Sequence, residues 1–419
     1  MDSTEEAVEA ANWGLVLIPI LAVMAPLLAR ALSPLVRISI VVFELLLGIL
    51  IGPSVLGWVG ESEFVEQLSD FGLAMLFFMA GNEIRLSAIR GRNGRRASLG
   101  WLIGLVAGVA IGYLIEPGFG AVVIGIALCS TALGAIMPIL RDAGELPTRF
   151  GNSAVALGTV GEFGPLIAIS IFLGASSLGV STIVLGIFIL IAMTLLFLAA
   201  RIEHNSLHRL VTTTLHTSGQ FAIRLVIFIV AALVVLSIVL DLDMLLGAFV
   251  AGLLWQVMMR QAPERDRAMV DSKLDAIAFG FLVPIFYINT GVSFELSALT
   301  SDLSVAALVP VFLVLLLVLR GVPSMFAAQK GASTRERAAL GLLGATGLPI
   351  IVAVTAIGVD SEYIDSGIAA ALVGAGLLSV LIFPVIAMAL RGDAAQLHAS
   401  STGDDAQDRP GEPHIAEEA

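Results

Sequence analysis

Glu162 is the acid set deepest in an apolar run: it stands eleven residues after Gly151, within Thr159-Val160-Gly161-Glu162-Phe163-Gly164-Pro165. A charge at mid-bilayer costs about 2.5 to 3.5 kcal/mol on insertion scales, so an acid held at such depth serves a function or is locked in a static ion pair or hydrogen bond. The chemistry open to one such carboxyl is exchange, because its charge is neutralised by a proton or by a monovalent cation, one at a time. Neutral oxygens that could replace a cation's water stand in corresponding apolar segments. They are Ser130 and Thr131 in Cys129-Ser130-Thr131-Ala132-Leu133-Gly134, Thr159 beside Glu162, and Thr346 in Gly344-Ala345-Thr346-Gly347-Leu348-Pro349. Arg320 follows the uninterrupted run Val311 to Leu319. It either snorkels to the surface or pairs with an internal acid, which would make it the charge balance of an empty site. Asn289 and Thr290 offer further neutral oxygens, for an ion or for a neighbouring helix. Glu44, in the first turns of its segment, reads as packing, and Glu83 as interfacial. His204 and His208 stand four apart in a polar stretch with no cysteine or acid around them, which reads as a solvated loop. There is no Walker motif, dinucleotide fingerprint or nucleophile elbow, so neither an ATP-driven pump nor a hydrolase has support.

These residues need a scaffold, and composition names it. With 58% hydrophobic and 13% charged residues over 419 positions, the chain is no soluble globule, whose charged share is nearer 25%. Thirteen apolar segments begin near Leu15, Ile38, Val65, Leu99, Ala121, Gly151, Leu178, Leu225, Met244, Leu274, Val305, Ala338 and Gly367. Each is long enough to cross a hydrocarbon core of about 30 Å as a helix. The expected fold class is therefore an all-α polytopic membrane protein of about thirteen transmembrane helices. All 22 basic residues lie at the odd-numbered connections or after the last segment, whereas the even ones hold only acids or nothing, such as Glu116, Asp241 and Asp360. Positive charge stays in the cytoplasm, which puts the N-terminus outside and the C-terminus inside. Residues 1–12 read as an acidic outer tail with no cleavable signal, 13–391 as the transmembrane domain, and 392–419 as a disordered acidic cytoplasmic tail. Cys129 is the single cysteine and excludes an intrachain disulfide. The stripe Gly100, Gly104, Gly108 and Gly112 reads as close helix packing.

The chain also resembles itself. Leu76-Phe77-Phe78-Met79-Ala80-Gly81 with Leu86-Ser87-Ala88 matches Ile285-Phe286-Tyr287 with Gly291 and Leu296-Ser297-Ala298, Gly291 following Gly81 by 210 positions. The flanking charge reverses, Arg85 against Glu295. Leu46-Leu47-Gly48 with Gly52 matches Leu245-Leu246-Gly247 with Gly252. Chance similarity between apolar segments is one reading; the other is an inverted repeat of segments 1–6 and 8–13 joined by segment 7, with helices interrupted at corresponding points in segments 5 and 12. By a further match, Val160-Gly161 with Val373-Gly374, Glu162 corresponds to Ala375, so one half alone carries the carboxylate.

At this level of detail the residues resemble the cation:proton antiporter-2 family. The resemblance rests on Phe43-Glu44-Leu45-Leu46-Leu47-Gly48-Ile49-Leu50-Ile51-Gly52-Pro53-Ser54-Val55-Leu56-Gly57, on Leu76 to Glu83, and on Pro284-Ile285-Phe286-Tyr287-Ile288-Asn289-Thr290-Gly291. It extends over nearly all of Leu15 to Leu390. It implies a sodium/proton antiporter-like fold of thirteen helices, with a dimerisation domain and a moving domain of crossed, unwound helices. It also implies that Glu162 stands where the family has its ion-binding aspartate, and Gly161 where Asp, Asn or Gln is usual. The lysine of electrogenic relatives is absent from segment 10, the glutamate often found in segment 12 is absent, and so is the nucleotide-binding domain of Kef-type members. The expectation is a non-enzymatic, cofactor-free antiporter. It would exchange Na⁺ or K⁺ for H⁺ in electroneutral 1:1 fashion by an elevator motion, as a homodimer in a prokaryotic plasma membrane. Glu162 would be the proton and metal-cation site, with Ser130, Thr131, Thr159 and Thr346 around it and Arg320, Asn289 and Thr290 in support. A sodium-coupled organic-solute symporter and a gated cation channel are the alternatives.

Overall fold

The computed structural model describes residues 3–32, 39–60, 62–83, 92–173, 178–201, 220–260, 262–294 and 303–407, with Leu296 and Leu299. Its described residues are in helices, turns and short irregular stretches, with no strand among them. In order they form α1 (Ser3–Leu32), α2 (Ile40–Ile51), α3 (Glu63–Glu83), α4 (Arg92–Ile115), α5 (Phe119–Leu128), α6 (Leu133–Asp142), α7 (Arg149–Phe172) and α8 (Leu178–Arg201). Then come α9 (Phe221–Val239), α10 (Met244–Met258), α11 (Glu264–Ile277), α12 (Val283–Val292), α13 (Leu303–Leu315), α14 (Val322–Met325), α15 (Thr334–Gly344), α16 (Pro349–Asp360) and α17 (Ser366–Gln407). Ten helical stretches are long and apolar enough to cross a membrane, and three shorter apolar ones, Ile40–Ile51, Thr182–Leu198 and Met244–Met258, carry the remaining segments.

Two spans continue through wide π-helical turns, Ala278–Leu282 before α12 and Leu316–Gly321 before α14. Each turn is followed within two residues by a proline, Pro284 or Pro323, whose missing N–H frees a carbonyl one turn back and loosens the ladder there. The ends differ from the sequence expectation: α1 is already helical from Ser3 and α17 runs on to Gln407, where solvated tails were expected. Both are extensions of a formed helix, which needs no new nucleus, and the Glu and Ala of Glu5-Glu6-Ala7-Val8-Glu9-Ala10 favour it. Residues 408–419 lie outside the described residues, as do His204 and His208.

The chain packs as two bundles. One, the scaffold, joins α1–α3 to α9–α12; the other, the crossing bundle, joins α4–α7 to α13–α17; α8 bridges α10 and α7. The inverted repeat is visible at the scaffold's closest contacts. Gly81 of α3 has no room for a Cβ against the Phe249 carbonyl and lies against Gly252 of α10, while Gly252 in turn abuts the Phe78 carbonyl. In the other half Gly291 of α12 abuts the Leu45 carbonyl, and Gly48 of α2 abuts the Ile288 carbonyl. Glycine at all four positions lets backbones touch where any side chain would hold them apart. The contacts make Gly48, rather than Gly52, the counterpart of Gly252. The sequence match of segments 2 and 9 was thus a turn out of register, because Leu-Leu-Gly recurs in any apolar helix and the backbone contact does not. The next turn agrees: Gly52 meets Val292 in one half, and Gln256 Nε2 donates to the Asn82 carbonyl at 2.7 Å in the other.

The glycine stripe of α4 packs within the chain. Gly104 meets the Leu319 carbonyl, Gly108 meets Gly125, Gly112 meets Ala121, and Cys129 Sγ lies across Gly104 and Gly108.

Charge patterning is matched by the loops, which sort onto two faces. On one, Arg391 binds Glu145 (Nε to Oε1, 2.7 Å) and Glu336 (Nη1 to Oε1, 2.9 Å), joining the fifth and eleventh connections to the end of the last span. Arg96 Nη1 donates to the Ala328 carbonyl there at 3.3 Å, and Lys273 Nζ to Gln220 Oε1 at 2.9 Å. On the other face Phe119 stacks on Tyr363 at 5.0 Å, and Ser54 Oγ donates to the Phe294 carbonyl at 2.8 Å. Odd connections meet odd ones, and even meet even.

Candidate functional site

Segments 5 and 12 break where their residues compete with helix geometry. α5 ends at Leu128 and α6 starts at Leu133, separated by Cys129-Ser130-Thr131-Ala132, whose Ser and Thr side chains favour local backbone bonds over the ladder. α15 ends at Gly344, and α16 starts with Pro349 at its first position, where the missing N–H costs nothing. The two breaks cross and are sewn together: Ala132 N donates to the Thr346 carbonyl at 2.7 Å, and Thr131 Oγ1 donates to the Gly344 carbonyl at 2.6 Å. α7 lies against the same point, its Gly161 carbonyl accepting from Thr131 N at 3.0 Å.

Glu162 reaches this crossing from α7 and is 5% exposed. Its Oε1 accepts from Leu133 N at 3.0 Å and Gly134 N at 3.5 Å, the free amides at the start of α6, where the half-helix end carries partial positive charge. Its Oε2 is buried and has no hydrogen-bond partner among the described residues; neither has the Thr159 hydroxyl one turn earlier on α7. An acceptor oxygen that a buried carboxylate leaves unused asks for a proton or a cation.

Arg320 takes the opposite role. It is fully buried in the π-helical turn of segment 11. Its Nε donates to Thr131 Oγ1 at 2.8 Å and its Nη2 to the Leu157 carbonyl at 2.8 Å. Through Thr131 it sits at the carbonyl end of α15, where a cation opposes the helix dipole. No ion pair joins it to Glu162 among the described residues, and it does not reach the surface, so both sequence readings of Arg320 are corrected. The physical reason is the wide turn before Pro323, which lets the helix continue to Met325 and leaves Arg320 inside the bundle.

The remaining expected site residues divide. Ser130 is fully buried in the break and donates to the Ala127 carbonyl at 2.9 Å; Thr346 is fully buried in the other and donates to the Leu342 carbonyl at 3.0 Å. Asn289 and Thr290 are half-buried on α12 of the scaffold, and the Thr290 hydroxyl is bonded to the Phe286 carbonyl at 2.8 Å. The structure does not bring those two to the crossing.

Sequence reasoning missed two participants and the role of a third. Ser379 of α17 holds the second break by accepting from Gly347 N at 3.1 Å. Phe163 stacks on Phe249 of α10 at 5.2 Å, so the residue after Glu162 is a contact between the two bundles. Gly161 is the third: a Cβ there would strike the Thr131 side chain and come within 2.7 Å of Arg320 Nη2. Read together, Gly161 and Arg320 were the available signal, since a lost side chain beside a buried acid leaves room for a large cation from another span.

A family model described as "Sodium/hydrogen exchanger, transmembrane" matches residues 20–390. The chain belongs to the sodium/hydrogen exchanger family. Among its relatives, YjbQ of Bacillus subtilis is 25% identical over 390 residues, 88% of this chain and 62% of YjbQ. The Na(+)/H(+)-K(+) antiporter GerN of Bacillus cereus is 30% identical over 259 residues, 60% of this chain and 64% of GerN. The matches thus span less than two thirds of these two proteins, whereas 91% of the Na(+)/H(+) antiporter of Enterococcus hirae is covered, at 24% identity. The solved structure of the sodium proton antiporter MjNhaP1 from Methanocaldococcus jannaschii at pH 8 has the same fold, with a TM-score of 0.67 at 18% identity over 90% of this chain and 99% of that one. The exchanger fold is thereby an independent match to the helices and crossing described above.

Proposed function

We propose that this exchanger swaps Na⁺ or K⁺ for H⁺ and that Glu162 carries both ions in turn. The observation that carries the proposal is the unpartnered Oε2 of Glu162, one helical turn from the unpartnered Thr159 hydroxyl, at a helix crossing where Glu162 Oε1 holds the α6 amides and Arg320 is bonded to Thr131. Oε1 is held by the α6 amides, which keeps the carboxyl aimed while Oε2 exchanges its partner. Thr159 supplies a neutral oxygen to the cation, and the Ser130, Thr131 and Thr346 segments supply backbone groups freed by the breaks. Arg320 balances charge as a brace for the crossing rather than as a partner of Glu162.

Access alternates by an elevator motion in which the crossing bundle slides against the scaffold, carrying Glu162 past the Phe163–Phe249 contact. The Gly-on-Gly packing of α2, α3, α10 and α12 supports a rigid scaffold for that motion and a scaffold-to-scaffold homodimer. By the charge pattern, the face with the Arg391 cluster is cytoplasmic and the chain sits in a prokaryotic plasma membrane with its N-terminus outside.

With one carboxylate at the site, the proton-loaded and cation-loaded carriers have the same net charge, so the exchange is one for one. Purified protein in liposomes clamped at zero or −100 mV is expected to exchange Na⁺ for H⁺ at the same rate in both. A transport current, or a rate that follows the potential, would require a second charge moving with the bundle and would refute the electroneutral scheme.

A further inference from the structure

The face of the crossing bundle that holds the Arg391 cluster carries a positive surface which the exchange scheme leaves unused. Arg95, Arg149, Lys330 and Arg337 are exposed there, and no ion pair or hydrogen bond holds their head groups among the described residues. Two hydrogen bonds put them on one surface. Gln329 Nε2 donates to the Arg149 carbonyl at 3.2 Å, which sets Lys330 beside the start of α7. Arg96 Nη1 donates to the Ala328 carbonyl, which sets the start of α4 beside the same connection. Glu145 and Glu336, the acids nearest in sequence to Arg149 and Arg337, are both bonded to Arg391. Membrane orientation asks for positive charge on one side, but it does not ask that the charge stay unbalanced. The scaffold shows the difference: α11 mixes Glu264, Asp266, Asp271 and Asp275 with its basic residues, and Arg267 Nε lies 3.6 Å from Asp271 Oδ2.

The chain holds a counterpart for this surplus. Residues 408–419 carry Asp408, Glu412, Glu417 and Glu418 against Arg409 alone. They follow α17, which passes Arg391 in the middle of the basic surface and runs on to Gln407. That stretch of helix is about 24 Å long at 1.5 Å per residue, and the segment after it reaches up to about 40 Å when extended, enough to come back to the surface. A tethered segment meets its partner at an effective concentration on the order of millimolar, so contacts of modest strength suffice. We propose that residues 408–419 dock on the basic surface made by Arg95, Arg149, Lys330 and Arg337. Because α4, α7, α15 and α17 all belong to the crossing bundle, the docked segment is a strap across that one bundle rather than a link to the scaffold.

The test uses the full-length chain in phosphatidylcholine liposomes and a water-soluble carbodiimide, which joins a carboxylate to a lysine amine where the two meet. The chain has two lysines, Lys330 on the basic surface and Lys273 on α11 of the scaffold, so each molecule carries its own control. At low salt, residues 408–419 are expected to couple to Lys330 roughly tenfold more than to Lys273, the worth of a few exposed ion pairs. At about 1 M salt, where charges act over about 3 Å, that excess is expected to disappear. Arg149→Gln with Arg337→Gln, which leaves Lys330 in place, is expected to lose most of it at low salt; the comparison of salts in the wild type stands whether or not that variant folds. Coupling to Lys330 no greater than to Lys273 overturns the proposal. So does an excess that vanishes in equimolar phosphatidylcholine and phosphatidylglycerol, because the surface then belongs to the anionic headgroups of the membrane.

Discussion

Glu162→Gln is expected to reduce sodium-driven proton movement to the level of protein-free liposomes, a fall of about a hundredfold or more, in a protein that stays folded and monodisperse. Glutamine has the same shape, and its carbonyl oxygen still accepts from Leu133 N and Gly134 N, so the crossing keeps its contacts. What disappears is the second anionic oxygen, which is the one without a partner. Glu162→Asp keeps the charge but withdraws it by one methylene from the α6 amides, so a reduced rate is expected rather than none. Dequenching of a pH-sensitive dye gives the rates, and size-exclusion chromatography in detergent gives the folded fraction. Wild-type exchange in the Gln variant would remove Glu162 from the carrier role; loss of the folded protein would make it a structural residue.

Arg320→Ala should cost both stability and transport. The guanidinium braces the Thr131 hydroxyl and the Leu157 carbonyl in a fully buried position. Removing it deprives two buried acceptors of a donor, at about 1 to 3 kcal/mol for each, and opens a cavity beside Gly161 that neighbouring backbone fills poorly. A lower unfolding temperature together with a rate near background is expected, with no recovery on changing pH, because no ion pair with Glu162 is being broken. Arg320→Lys should stand between the two, since an ammonium cannot span both acceptors as a planar fork does. A variant with the wild-type unfolding temperature would contradict the brace, and a mere shift of the pH profile would restore the direct pairing of Arg320 with Glu162.

The parts of this molecule legible in the sequence were those governed by one-dimensional rules. Apolar run length located the spans, and the sign of charge at each connection sorted the loops onto two faces, as the Arg391 cluster and the Phe119–Tyr363 stack agree. Breaks at Cys129–Leu133 and Gly344–Pro349 were legible because Ser, Thr, Gly and Pro weaken a helix wherever they cluster. Arg320 was not, because a cation after nine apolar residues looks like the end of a span, and nothing local announces that a π-helical turn carries the helix onward. The register of the second repeat failed for a related reason: Leu-Leu-Gly is common, and only the contact of Gly48 with Ile288 distinguishes the counterpart of Gly252. Gly161 looked like a missing ligand; in three dimensions it is the clearance for Arg320.

The central claim is that one carboxyl holds a proton or a cation and never both. Isothermal titration calorimetry of purified protein with sodium, in two buffers of different ionisation enthalpy, counts the protons released as the cation binds. At a pH where the cation-free site is protonated, one proton per sodium bound is expected for the wild type, and no binding for Glu162→Gln. Sodium binding with no proton released at any pH would contradict a shared site.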